Sequence, residues 1–191
     1  SGIVLQNRYR ITGPLGQGGM GAVYLAHDTR FSQRMVALKI NNSTTPAAQE
    51  QFRVEANLLA KLQHPHLPDV TDHFILPDGR QALVMAYVPG QTLAQFVAQH
   101  GAVDLETALT WLDQVLDALH YMHTQSPPVL HRDIKPDNIK ITPEGRAMLV
   151  DFGLARLYVP GQNTATGARA GSDGYAPVEQ YIGGTDVRSD V

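Results

Sequence analysis

The stretches HRDIKPDN, residues 131–138, and DFG, residues 151–153, decide how the rest of the chain is read. They set a carboxylate suited to act as a base, Asp133, beside an amide and a second carboxylate suited to a metal, Asn138 and Asp151, around a short apolar strand. That set serves phosphoryl transfer to a hydroxyl. In it Asp133 accepts or orients the proton of the acceptor hydroxyl and Lys135 neutralises the phosphoryl group in transit. Asn138 would hold Mg2+, and Asp151 would bridge that metal to the β and γ phosphates. Taken singly, each residue also has a plain structural reading: Asp133 as a turn former, Asn138 as an Asx turn, Asp-Phe-Gly as a tight turn after a buried strand. Their joint occurrence in this order favours the chemical reading. The remaining sequence must then supply a phosphate cradle, a lysine for the nucleotide and a loop for the acceptor.

Upstream, LGQGGMGAVY carries Gly16, Gly18 and Gly21 in a G-x-G-x-x-G spacing, whose missing side chains let backbone N–H groups approach phosphate oxygens. A dinucleotide fold would follow such glycines with a helix and, about 20 residues on, an acid. Here Ala22-Val23-Tyr24-Leu25 reads as strand and Lys39 follows, so a phosphate-cradling hairpin is preferred to that fold and to a plain Gly-rich turn. Lys39 ends the strand VALKI. Strand alternation places Ala37 and Lys39 on one face, a small residue leaving room for a flat ring and a cation able to reach α and β phosphates. The bland alternative is a solvated strand-end lysine. Glu55 weighs against it: its spacing from Phe52, Leu58 and Leu59 puts a carboxylate on the inward stripe of a helix, where Lys39 is the natural partner. Glu50 precedes the stripe and is expected to face water.

Composition bounds the class without choosing it. With 191 residues, 43% hydrophobic and a net charge of −3, the chain is an ordinary globular one with no basic excess for nucleic acid. It has no apolar run of membrane-spanning length and no signal pattern. Cysteine is absent, which fits a reducing compartment. Residues 9–41 read as three strands, Pro46 opens a helix that stops before His64-Pro65, and strands follow near 70–75 and 81–87. A short helix is expected near 93–99. A longer one begins at the N-cap Asp104, with Leu105, Ala108, Leu109, Leu112, Val115, Leu116, Leu119 and Met122 as an apolar stripe. The strand-rich first half and helix-led second half predict two lobes joined near residues 86–90. His64, His66, Asp69, Asp72 and His73 could be taken for metal ligands, but no fixed ligand spacing links them and the structural reading is preferred. His120 and His123, near a helix end, read as capping or surface residues.

Together these motifs resemble the eukaryotic-type protein kinase domain, and several segments are similar to the bacterial Ser/Thr kinases of that family. The resemblance implies an α+β, two-lobed fold: an N-terminal antiparallel sheet with helix C over residues 1–87, and a mainly helical, incomplete C-terminal lobe over residues 88–191. It implies ATP and Mg2+ as cofactors and a protein serine or threonine as acceptor, Lys135 being the mark of the Ser/Thr branch. By the same resemblance Lys39 and Glu55 form the strand–helix ion pair, and Leu15, Gly16, Gly18, Gly21 and Val23 form the nucleotide loop. Ala37, Met85, the backbone of residues 86–88 (Ala86 and Val88 at its ends) and Lys140 line the adenine site. Leu59, Val70, His131 and Phe152 match a stacked spine, tethered by Asp190. Phosphate on Thr164 or Thr166 would order the activation segment against Arg132.

Four positions depart from the family pattern. Lys140 stands where an apolar residue usually lies under adenine, so its stem must pack while its amine reaches water. Ala86 replaces a hinge glutamate in a stretch that acts through backbone. Val178 replaces a proline, leaving Glu179 to pair with an arginine from a later helix. Family members also continue through several helices beyond the position of Asp190. The chain therefore reads as C-terminally truncated, with the 105–122 stripe partly uncovered and available for self-association. The alternatives are an inactive nucleotide- or partner-binding module of the same fold and a small-molecule phosphotransferase. The latter leaves residues 171–180, similar to a protein-substrate loop, without a use. The expected location is cytoplasmic, or the cytoplasmic domain of a membrane-anchored kinase.

Overall fold

The computed structural model describes residues 2–18, 21–32, 34–151, 156–157, 175–177, 179 and 185–191. It divides into two compact units, one of residues 1–63 and 68–88, the other of residues 64–67 and 89–191.

In the first unit, β1 (Val4–Leu5), β2 (Tyr9–Gly18), β3 (Gly21–Asp28), β4 (Arg34–Asn41), β5 (Val70–Ile75) and β6 (Gln81–Ala86) form one antiparallel sheet in the order β1-β2-β3-β4-β6-β5. Helix α1 (Pro46–Leu59) joins β4 to β5. Cross-strand register gives the sheet two distinct faces. On one, Ala26 opposes Val36, Leu38 opposes Val84, and Ile40 opposes Ala82. With Tyr9 and Leu76 these residues form the buried core, against which Leu5, Tyr24 and Phe74 pack. On the other face Val23 and Leu83 flank Lys39, while Leu25 and Met85 flank Ala37. That second face receives α1: Phe52, Ala56 and Leu59 are buried, and the Phe52 ring lies 6.5 Å from that of His73, whose register partner is Leu83.

Polar side chains at the start of β2 tie it to its neighbour β3 and to the distant β5. Arg8 grips the buried Asp28 through Nε–Oδ1 at 2.9 Å and Nη2–Oδ2 at 2.6 Å, and its Nη1 reaches Asp72 Oδ2 at 3.2 Å. The Tyr9 hydroxyl donates to the same Asp72 oxygen at 2.6 Å. The guanidinium holds the Asp28 carboxyl below the usual carboxylate range, while burial and then the Asp72 hydrogen bond push the Tyr9 hydroxyl up.

The second unit is built on β7 (Gln91–Thr92), α2 (Leu93–His100), α3 (Leu105–His123), β8 (Val129–Leu130), β9 (Ile139–Ile141), β10 (Ala147–Leu149) and β11 (Arg156–Leu157). Thr92 caps α2 reciprocally: its hydroxyl accepts from Gln95 N at 3.2 Å and its own N–H donates to Gln95 Oε1 at 2.9 Å. Asp104 caps α3 as expected, accepting from Thr107 N at 2.9 Å. The predicted stripe of α3 separates into two. Val115, Leu119 and Met122 are buried together with Trp111 and Ala118, whereas Leu105, Leu109, Leu112 and Leu116 are exposed. At ~100° per residue the two sets sit about a third of the way round the helix from each other. Periodicity shows an apolar surface but not which side of it is covered.

The buried face of α3 carries the β9–β10 hairpin. Trp111 Nε1 donates to Gly145 O at 2.9 Å, and Gln114 Oε1 accepts from Ala147 N at 2.7 Å. Along the same edge of β10, Leu149 N donates to His66 O at 2.9 Å and His66 Nδ1 bonds Ala147 O at 2.8 Å. His64 stacks on Tyr121 with ring centroids 5.1 Å apart and meets Asp117 Oδ2 through Nε2 at 3.2 Å. Both histidines are thus used in packing. Among the described residues no group of three or more His, Asp or Glu could hold a metal, and no helix is long and apolar enough to cross a membrane.

Candidate active site

In the first unit, β2 and β3 form a hairpin in which Gly18 opposes Gly21 and Gly16 opposes Val23. The glycine spacing thus sits on strand–turn–strand, not on the strand–turn–helix of a dinucleotide site. The glycines have different reasons for lacking a side chain. A Cβ on Gly16 would meet nothing within 4 Å, so its backbone is open to a ligand. At Gly21, with φ +156°, a Cβ would fall 2.1 Å from the Ile40 carbonyl oxygen, so this glycine allows β3 to pack on β4. Leu15 is exposed at the same hairpin. Val23, Ala37, Lys39 and Met85 share the sheet face that receives α1, which carries Glu55. The Glu55 side chain lies outside the described residues, as do Phe152, Gly153, Thr164, Thr166 and Val178. Ala86 ends β6, and Val88 is buried just beyond it.

In the second unit, the buried pair Val129 and Leu130 of β8, held antiparallel to β11, delivers the chain to residues 131–138. His131 is fully buried, and burial holds its imidazole below the ordinary value despite the opposing pull of Asp190, Asp151 and Asp133. Arg132 is buried too, with φ +67°, a left-handed conformation that costs a non-glycine residue about 1 kcal/mol or more. Both backbone amides are captured by the buried Asp190: His131 N donates to Oδ2 at 2.8 Å and Arg132 N to Oδ1 at 2.6 Å. Asp133 follows this bend, its side chain only 14% exposed. Its carboxylate meets Lys135 Nζ at 3.0 Å and accepts from Asn138 Nδ2 at 2.8 Å.

Pro136–Asn138 is a short 3-10 turn with proline at its start, closed by Asn138 N donating to Lys135 O at 2.9 Å. It leads directly into β9. The hairpin register then pairs Leu149 with Ile139, and Val150 N donates to Asn138 O at 2.8 Å, so Asp151 emerges alongside Asn138. Asp151 is exposed and adopts φ +63°. Non-glycine residues in left-handed conformations at 132 and 151 bracket the hairpin, as expected where backbone strain orients reactive groups. The donors suit a hard cation: donation by Nδ2 to Asp133 turns the Asn138 Oδ1 away from that carboxylate, and Asp151 offers carboxylate oxygens. Two such ligands are the usual protein share for Mg2+, which keeps water and phosphate oxygens as its others. Lys140 lies on β9 opposite Met148 and Thr92, half-buried, and burial lowers its amine below the ordinary lysine value.

The structure also bears on two further residues. Glu179 accepts from Ser189 Oγ at 2.9 Å, a partner the sequence reading did not foresee. His123, read from sequence as a cap or surface group, instead bonds the buried Asp190 through Nε2 at 2.9 Å. Nothing in local spacing links positions 123 and 190; only the fold brings them together.

A curled antiparallel sheet with one helix, and a second unit whose strained loop presents a lysine, an amide and two carboxylates, define the class of phosphoryl-transfer folds with two lobes. Residues 9–189 match the family described as Protein kinase domain, and the chain belongs to that family. It is 37% identical over 188 residues to the serine/threonine-protein kinase PknA of Mycobacterium tuberculosis, covering 95% of this chain and 43% of that protein. It is 32% identical over 194 residues to a probable serine/threonine-protein kinase PknB of Lactococcus lactis, covering 100% of this chain and 30% of that protein. It is 35% identical over 199 residues to the serine/threonine-protein kinase pkn2 of Myxococcus xanthus, covering 99% and 23%. The chain thus spans less than half the length of these curated relatives.

Proposed function

We propose that this domain transfers the γ-phosphoryl group of ATP to serine or threonine hydroxyls of proteins. The observation that carries the reading is the Asp133–Lys135–Asn138 cluster, with contacts of 2.8–3.0 Å, in a loop pinned by Asp190. Asp133 accepts the acceptor proton, and Lys135, already at its carboxylate, offers a cation to the oxygens of the group in transit. Asn138 and Asp151 are the residues that would hold Mg2+, which when bound supplies charge neutralisation on the phosphates. In the first unit, the open backbone at Gly16 and the face bearing Val23, Ala37, Lys39 and Met85 are assigned to the nucleotide. Lys39 is the cation for its phosphates, and Glu55 is that lysine's partner. The two units correspond to a nucleotide lobe and a catalytic lobe, with Leu15, Gly18, Gly21, Ala86 and Val88 completing the nucleotide face of the first.

The test is incubation with labelled ATP and Mg2+, with and without a generic protein acceptor, beside Lys39→Met and Asp133→Asn. Label on serine or threonine that is lost in both variants supports the reading. Label that survives both sinks it.

A further inference from the structure

We propose that Gln49 is a positioning residue for the Lys39–Glu55 pair, setting α1 against the sheet through the β5–β6 turn. The proposal rests on the reading of Glu55 as the partner of Lys39. Gln49 Nε2 donates to Gly79 O at 2.8 Å, and among the described residues this is the only side-chain hydrogen bond seen between α1 and the rest of the first unit. The remaining grip on α1 is apolar, through the buried Phe52, Ala56 and Leu59. At ~100° per residue, positions 49, 52, 56 and 59 fall within about 80° of one another, and position 55 lies about 40° further round. Apolar burial is non-directional: it resists lifting the helix off the sheet more than turning or sliding it. A hydrogen bond to a fixed carbonyl has direction and resists both.

The acceptor is fixed. Gly79 sits at φ +85° in a turn closed by Gly79 N donating to Leu76 O at 2.9 Å and Leu76 N donating to Arg80 O at 2.7 Å. Asp78 braces that turn, accepting from Arg80 N at 3.1 Å and from Arg80 Nε at 2.9 Å. The strands on either side of it lead to the face that bears Lys39. Leu83 of β6 opposes Lys39 on one side and His73 of β5 on the other, and the His73 ring lies 6.5 Å from that of Phe52. The helix is therefore held to one hairpin at two points, an apolar one at Phe52 and a polar one at Gln49. Two points set its rotation and its position along its axis, and so where position 55, one turn after Phe52, stands relative to Lys39.

The experiment is a double-mutant cycle of Gln49→Met with Glu55→Gln. Methionine keeps the length and helix propensity of glutamine and adds no charge, but it has no N–H to donate. The reading is kcat/KM for ATP in transfer to a generic protein acceptor. ATP affinity by titration follows the same cycle and needs no turnover in the Glu55→Gln chain. Gln49→Met lowers kcat/KM by about fivefold or more in the parent. In the Glu55→Gln background it changes the value by less than about twofold, because the pair it positions is already gone. An equal loss in both backgrounds marks a merely structural tie and overturns the proposal, as does a parent value that Gln49→Met leaves unchanged. If Glu55→Gln alone matches the parent in both transfer and ATP affinity, the reading of Glu55 as the partner of Lys39 falls, and the proposal falls with it.

Discussion

Asn138 holds Asp133 from two sides: its Nδ2 donates at 2.8 Å both to the Asp133 carboxylate Oδ2 and to the Asp133 backbone carbonyl. An amide that keeps its one oxygen, Oδ1, for a cation is thereby also an orienting group for the carboxylate proposed as the base. The two residues are expected to fail as a unit. Asp133→Asn and Asn138→Ala should each lower kcat by about 10²–10⁴-fold. The double variant should be no more than about tenfold worse than the poorer single one. Initial rates across the cycle check this, and multiplicative losses would show that the residues act independently.

The glycines of the β2–β3 hairpin should separate stability from ligand binding. Gly21→Ala drives a Cβ into the Ile40 carbonyl oxygen and should lower stability by about 1–3 kcal/mol. Gly16→Ala meets open space, so stability should stay within about 0.5 kcal/mol of the parent. Its added methyl group should instead raise the KM for ATP. Urea denaturation midpoints and ATP titrations of both variants measure the two effects. A Gly21→Ala chain as stable as the parent would refute the packing argument.

The buried His131 makes stability depend on pH in one direction. Burial lowers its folded-state value below about 6.5, so between that folded value and 6.5 the unfolded chain binds more protons than the folded one. The contribution is complete above pH 6.5 and is lost as pH falls below it. The slope is at most about 1.4 kcal/mol per pH unit for one proton. A further loss begins below about pH 4, where Asp28, held low first by Arg8, protonates more readily in the unfolded chain. Urea midpoints of the parent and of His131→Phe from pH 4.5 to 7.5 test this. The variant should lose the upper slope; an unchanged slope would assign it to other groups.

Much of the site could be read from spacing because its chemistry is local. Residues 131–138 carry the candidate base, the lysine and the amide within one loop, and the 3-10 turn at Pro136–Asn138 sets the lysine and the amide beside Asp133. The β-branched and apolar alternation of β3 and β4 likewise announced a hairpin and the face shared by Ala37 and Lys39. The caps at Thr92 and Asp104 are also contacts within one turn, although only Asp104 was anticipated. Less legible was α3. Its apolar residues were all visible, but the division between a covered face at Trp111, Val115 and Met122 and an exposed one at Leu105, Leu109 and Leu112 depends on what packs there.

The sequence alone therefore determined which side chains are candidates for the chemistry, their order and the elements that bear them, since each follows from residue type at a separation of a few positions. Tertiary structure decided what holds those groups in place. Asp190, which the resemblance had named as a tether, acts by reaching back 59 residues to the His131 amide, and His123, not foreseen there, meets that same carboxylate from 67 residues away. His64, which could have been a metal ligand, spends its ring on Tyr121 and Asp117. The physical reason is that a buried carboxylate must be satisfied by whatever donors the folded chain brings near it, and proximity in the fold leaves no periodic mark along the chain.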